Sequence, residues 1–206
     1  MSRRRRKGGG SAYRGDHFTK KAKGQGYAAR SVYKLEEIDR KVGLFKPGMR
    51  VVDLGCYPGS WTRYAAQKVG PKGVISGVDL DEPQGIVGNF IVRSVYEVEA
   101  SELLEALGGP ADVVLSDMAP KTTGHKDTDH LRQIGLVERA HFLAQQLLKP
   151  GGAIVYKIFD GSDANGCIDA IRQDFQVLRR YKPEAVRSVS REFFIAGTGF
   201  KGMGEE

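Results

Sequence analysis

Val51-Val52-Asp53-Leu54-Gly55-Cys56-Tyr57-Pro58-Gly59-Ser60-Trp61 is the stretch that decides how this chain folds. Met49 to Leu54 is a short, mainly apolar run with β-branched residues, which suits a strand covered on both faces. Gly55 and Gly59 bracket a turn that Pro58 stiffens, and glycine there lets the backbone bend sharply and a ligand come close. Trp61, Ala65 and Val69 then recur at helical spacing until Gly70-Pro71 stops the helix. A strand, a glycine turn and a helix N-terminus at the carboxyl edge of a sheet form the corner where α/β proteins bind nucleosides.

The turn is not a phosphate cradle. It reads D-L-G-x-x-P-G-x-W, neither G-x-G-x-x-G nor G-K-[ST]. Asp79 follows Gly59 by twenty positions and ends a second apolar run from Gly73, where a doubly wound fold places a carboxylate for ribose hydroxyls. A nucleoside site without a pyrophosphate grip suggests S-adenosylmethionine rather than NAD or ATP.

Length and composition bound the rest. The 206 residues suffice for one α/β domain with a full core plus extensions. No apolar run approaches a membrane span. Arg3 to Arg6 are followed by Gly8 to Arg14 rather than an apolar stretch, so no export signal is complete. Cys56 and Cys167 offer neither a disulfide framework nor zinc spacing, and His17, His125, His130 and His141 lack a metal-ligand pattern. The expectation is a cytoplasmic monomer without a metal. Charge is uneven: residues 1–50 hold 15 Lys and Arg against 4 Asp and Glu, a net of +11, whereas the remainder is −4. A basic arm ahead of a nucleoside corner suggests a polyanion, most simply nucleic acid. Tyr13, His17, Phe18 and Tyr27 interleave with its cations and could stack on bases. The alternative for the first ten residues is a solvated tail.

Periodicity divides the chain into a disordered basic tail over 1–15 and one domain over 16–206, whose basic extension runs to 48. Helices are expected at Ala29–Val42, Ser60–Val69, Glu97–Leu107, His130–Leu148 and Asp163–Asp174. Strands are expected at Arg50–Leu54, Val74–Asp79, Asn89–Val92, Asp112–Ser116, Ala153–Phe159, Phe175–Tyr181 and Glu192–Ala196, with Lys121 to Asp129 as a loop without an element. The simplest assembly is a Rossmann-like α/β fold. Its seven-stranded sheet is mostly parallel with the last strand antiparallel, and helices cover both faces.

Asp117 ends the fourth strand and Lys157 lies near the end of the fifth, on the edge that carries the glycine turn. A lysine inside the apolar run Ile154 to Phe159 must snorkel, pair with a carboxylate, or give up its charge. Taken singly, Lys34 could be a surface lysine paired with Glu36 or Glu37, Asp117 a loop cap, and Glu192 a charge on an edge strand.

Together these stretches resemble a known family. Ala29 to Ile38, Asp53 to Trp61, Leu115 to Pro120, Val155 to Gly161 and Ser190 to Ile195 are similar to the FtsJ-type ribosomal RNA large-subunit methyltransferases. The resemblance runs from about Asp16 to Gly202. It implies methyl transfer from S-adenosylmethionine to a ribose 2′-hydroxyl, with a Lys-Asp-Lys-Glu tetrad falling on Lys34, Asp117, Lys157 and Glu192. Lys157 would be the central base or orienting group, Asp117 would position its ammonium, and Glu192 would orient Lys34 and the ribose. The cofactor would meet Asp53, Gly55, Gly59, Trp61, Asp79, Ser94 and Asp117. One departure stands out. Where the family usually carries an acidic residue for the adenine amino group, this chain has Arg93-Ser94. The implied substrate is a uridine of 23S rRNA in the large ribosomal subunit. The alternatives are tRNA or an mRNA cap with the same chemistry, a non-enzymatic RNA-binding assembly factor, and a small-molecule methyltransferase.

Overall fold

The computed structural model describes residues 18–202, apart from 23, 84, 87 and 187–189. The tail expected over 1–15 therefore lies outside the described residues, as do Tyr13, Arg14 and His17. The elements are α1 (Val32–Val42), β1 (Arg50–Leu54), α2 (Ser60–Val69), β2 (Val74–Asp79), β3 (Asn89–Val92), α3 (Ala100–Leu107), β4 (Ala111–Ser116), α4 (Lys126–Leu147), β5 (Leu148–Phe159), α5 (Ala164–Arg172), β6 (Phe175–Tyr181) and β7 (Glu192–Phe200).

The sheet runs β3-β2-β1-β4-β5-β7-β6, and β7 is antiparallel to both of its neighbours. Strand order reverses between β1 and β4, so a crevice opens outside their carboxyl ends. Successive residues of a strand face opposite ways. Val52, Val114 and Ile154 accordingly pack under α3, α4 and α5, while Val51, Val113 and Val155 pack under α1 and α2. That two-sided burial explains the uninterrupted apolar runs of β1, β4 and β5. Among the described residues no helix is long and apolar enough to cross a membrane.

Several ends differ from the sequence pattern, each for a local reason. α1 starts at Val32 rather than Ala29, because residues 28–31 turn against α2 and the Ala29 N–H donates to Ser60 Oγ at 2.7 Å. α3 starts at Ala100, where Glu99 and Glu102 form a reciprocal capping box. α4 starts at Lys126 and shortens the expected loop; Asp127 and Asp129 in its first turn suit the positive end of the helix dipole. β5 begins at Leu148 rather than Ala153, and its register against β4 shifts between Ala111 and Val113. β7 continues to Phe200 and lies between β5 and β6, so Glu192 is not an edge-strand charge.

Candidate active site

A cavity of about 590 Å³ opens over the carboxyl ends of β1, β2 and β4, a size ordinary for a nucleoside-sized ligand. Asp79 and Gly55 line one side, Ser94 and Tyr96 another, and Asp117 and Met118 a third. The Asp79 carboxylate is aimed by two backbone donors, Tyr57 N–H to Oδ2 at 2.9 Å and Leu80 N–H to Oδ1 at 2.6 Å. Gly55 has φ +85°, and a Cβ there would stand 2.5 Å from Met118 Cγ. Turn and loop therefore touch without room for a side chain. Arg93 is held in a forked pair with Glu102, at 3.0 and 3.1 Å. Ser94 Oγ accepts the Tyr96 N–H at 3.3 Å, which leaves its own proton free for a further partner.

Next to this cavity stand two lysine–carboxylate pairs. Lys157 Nζ lies 3.1 Å from Asp117 Oδ1. That contact is an ion pair without hydrogen-bond alignment, and the ammonium's aligned bond goes to the Asp117 carbonyl oxygen. Lys34 Nζ lies 2.6 Å from Glu192 Oε1. Lys157 is 6% exposed and Lys34 7%. Sheet register brings the pairs together: Lys157 is opposite Phe194 and Phe159 opposite Glu192, so Lys157, Glu192 and Phe194 share one face. Lys34 comes down from α1 onto that face, with Nζ 5.5 Å from the centroid of the Phe194 ring. Asp117 reaches the cavity wall, and Lys157, Lys34 and Glu192 stand behind it. Two desolvated ammonium–carboxylate pairs beside a cavity can orient a hydroxyl and move its proton.

Three of the cofactor-binding residues implied by the resemblance lie off the cavity wall. Trp61 is buried between α1 and β7. Its indole N–H donates to the Ser31 carbonyl at 2.9 Å, and its ring lies 5.7 Å from that of Phe194. Gly59, at φ +104°, backs onto the loop between β2 and β3, where a Cβ would come 2.5 Å from Ile86 Cδ1. Asp53 lies beneath the turn. Its Oδ2 accepts the Thr62 hydroxyl at 2.6 Å, and its buried Oδ1 has no partner among the described residues. Burial pushes the Asp53 carboxyl up to about 7, Thr62 opposes the shift, and Asp117 and Asp79 add to it.

That shift sets a sign for stability. The folded state keeps the Asp53 proton over a range, from about pH 4 to 7, in which the unfolded chain loses it. Asp53 therefore costs stability progressively as pH rises through this window, and the cost is full above it. Asp53→Asn keeps an acceptor for Thr62 and removes the titration. Denaturant unfolding at pH 5 and pH 8 should show the variant gaining about 2–3 kcal/mol on the parent between the two. An equal difference at both pH values would mean that Asp53 titrates normally.

Comparison with known proteins adds the family. The FtsJ-like methyltransferase model matches residues 27–200. A protein of Oleidesulfovibrio alaskensis named Ribosomal RNA large subunit methyltransferase E is 45% identical over 195 residues, covering 92% of this chain and 94% of its own. Its namesake from Paramagnetospirillum magneticum is 44% identical over 197 residues, covering 92% of this chain and 81% of its own. A crystal structure described as a ribosomal RNA methyltransferase of Plasmodium falciparum superposes with a TM-score of 0.77 at 28% identity, covering 86% of this chain and all of that one. With the strand-turn-helix corner, the cavity above it and likeness over nine-tenths of its length, the chain is a methyltransferase and belongs to the FtsJ-like family.

Proposed function

We propose that this enzyme transfers the methyl group of S-adenosylmethionine to a ribose 2′-hydroxyl of large-subunit ribosomal RNA, a uridine of 23S rRNA, in the cytoplasm. The observation that carries the reading is the pair of lysine–carboxylate contacts side by side, one of which, through Asp117, also forms the cavity wall. A ribose hydroxyl is a poor nucleophile, so it needs groups that take its proton and aim its oxygen.

The cavity fits the cofactor. Asp79 is the residue to hold a ribose diol, since two backbone N–H groups fix its carboxylate and leave lone pairs toward the cavity. Gly55 leaves bare backbone for close approach. S-adenosylmethionine, when bound, supplies a methyl already activated by its sulfonium, so the protein's task is placement and proton handling. Lys157 orients the oxygen and, as the neutral amine left once it has passed its own extra proton to solvent, receives the hydroxyl proton; Asp117 holds Lys157 through both its carboxylate and its carbonyl. Glu192 fixes Lys34, which stands on the same face to meet the ribose. Asp53 acts from beneath by fixing the turn through Thr62, and Gly59 lets the loop between β2 and β3 pack against it. Trp61 ties Ser31 to α2 and so places Lys34 three residues on. The net +11 of residues 1–50 would meet RNA phosphates, which makes binding salt-dependent.

Ser94 would stand at the adenine end in place of a carboxylate. Ser94→Asp restores an acceptor for the adenine amino group without disturbing the Arg93–Glu102 pair. Calorimetric titration should show cofactor binding tightened about three- to tenfold, the yield of one charge-assisted hydrogen bond. Unchanged or weaker binding would place the adenine elsewhere.

The function is tested by offering methyl-labelled S-adenosylmethionine with unmodified large ribosomal subunits, free 23S rRNA and tRNA side by side. Label in large-subunit RNA, at a uridine ribose, is the expected result. Label in tRNA alone keeps the chemistry and overturns the substrate. No transfer and no cofactor binding favours a non-enzymatic RNA-binding role.

A further inference from the structure

We propose that Gln133 is a positioning residue for the Asp117–Lys157 pair, tethering the backbone of both strand ends through one side-chain amide. The proposal rests on the reading that these two residues carry the transfer.

The β4–β5 register ends at Ser116 opposite Tyr156. One residue further on, Asp117 and Met118 turn away over the cavity, while β5 continues to Phe159. No strand holds the two chains together from there, yet this is where the pair must be held to a fraction of an ångström. Gln133 takes over. Its Nε2 donates to the Lys157 carbonyl at 2.9 Å and to the Met118 carbonyl at 3.2 Å. Both N–H bonds of the amide are thereby used, and two carbonyl oxygens accept only from the NH₂ end, which fixes the orientation.

The bonds close a ring. Gln133 holds Lys157 by its backbone, Lys157 Nζ donates to the Asp117 carbonyl, and Gln133 holds the next carbonyl, that of Met118. Met118 in turn packs against Gly55, where no Cβ would fit. One amide thus links the turn, the loop after β4 and the end of β5.

Gln133 is 1% exposed on the buried face of α4, among His130, Ile134, Val137 and Ala140, and its Oε1 has no partner among the described residues. An amide buried there costs stability relative to an apolar residue unless its bonds are needed. α4 is itself anchored at both loops it bridges. Asp129 accepts from Thr123 N–H, Thr123 Oγ1 and Gly124 N–H, at 2.7, 2.8 and 3.2 Å. His130 Nε2 accepts the Asp163 N–H at 3.1 Å, and its ring fills the space over Gly161.

The test uses the full chain and its RNA substrate. Gln133→Met keeps the volume and removes both donors. It should lower kcat on the order of ten- to a hundredfold, while the cofactor Kd and the RNA KM stay within about twofold. Gln133→Glu donates only while its carboxyl is protonated, so its rate should fall with rising pH relative to the parent, a signature that simple loss of packing would not give. Lys157→Ala runs alongside. If it transfers at the parent rate, the functional reading fails and takes the proposal with it. If Lys157→Ala is inactive while Gln133→Met keeps the parent kcat, or loses affinity and rate in equal measure, the proposal alone is overturned. A Gln133→Glu profile parallel to the parent's overturns it as well, even should the methionine variant not fold.

Discussion

Lys157→Ala should reduce methyl transfer by about a thousandfold or more, the range expected when a positioned proton-transfer group is lost, and should leave cofactor affinity within about twofold. The second half follows from placement. Lys157 stands behind Asp117 and does not line the cavity, whereas Asp79 and Gly55 do. Truncation nevertheless has a structural cost. It strips Asp117 Oδ1 of its counter-charge and its carbonyl oxygen of a donor. An unpaired carboxylate would then lie near Asp53 and Asp79, which already repel one another. Lys157→Met fills the same space without the charge and serves as the control for packing. Both variants should retain a cooperative unfolding transition and titrate with cofactor, and neither should turn over. Lys157→Arg is a sharper probe. It keeps the positive charge but cannot lose its proton, and its planar head does not fit the place of a compact ammonium. A methionine variant within tenfold of the parent rate would remove Lys157 from the chemistry, whatever the alanine variant does.

The parts of the fold legible in the sequence are those with a short period or a covalent signature. β1, α2, β2 and β3 lie where their apolar runs and glycine punctuation put them, because each is fixed by local sterics and, in β1 and β2, by burial on both faces. The ends that moved depend on contacts invisible to periodicity. The helix over 32–42 loses its first turn to a backbone bond with Ser60 Oγ, thirty-one residues away. β7 runs four residues past Ala196 because it pairs on both sides, which the alternation of one strand cannot reveal. For the site, the four charged residues are legible by type and motif, and their pairing through the family resemblance, though not through spacing along the chain. Lys34 has Glu36 and Glu37 beside it in sequence, yet it meets Glu192, and Glu37 pairs with Lys41 instead. Trp61 was legible as a helix-face residue of a binding motif; that it braces Ser31 rather than the cavity follows from where α1 lies. Gln133 did leave a trace, a polar residue at a core position of α4 between His130 and Val137. Its partners are backbone carbonyls at 118 and 157, which no sequence pattern marks.

The Lys34–Glu192 pair offers a way to separate structure from chemistry. The two side chains are 9% and 14% exposed, so removing one partner strands a nearly dry charge. Lys34→Met or Glu192→Leu alone should each lower unfolding stability by about 2–4 kcal/mol, toward the lower end of the cost of breaking a buried pair because both groups keep a little water. The double variant Lys34→Met/Glu192→Leu removes both charges. Its new side chains would lie against Phe194 and Phe159, an apolar setting already in place. Apolar replacements of buried pairs are often neutral or better, so most of the lost stability should return. Transfer should not return. If Lys34 and Glu192 place the ribose, the stable double variant remains about a hundredfold or more below the parent in kcat/KM on RNA, with cofactor affinity unchanged. If the pair merely staples α1 to β7, restoring stability restores activity. Denaturant midpoints and transfer rates on the parent, both single variants and the double variant give the answer. A double variant that is both stable and active would confine the chemistry to Asp117 and Lys157.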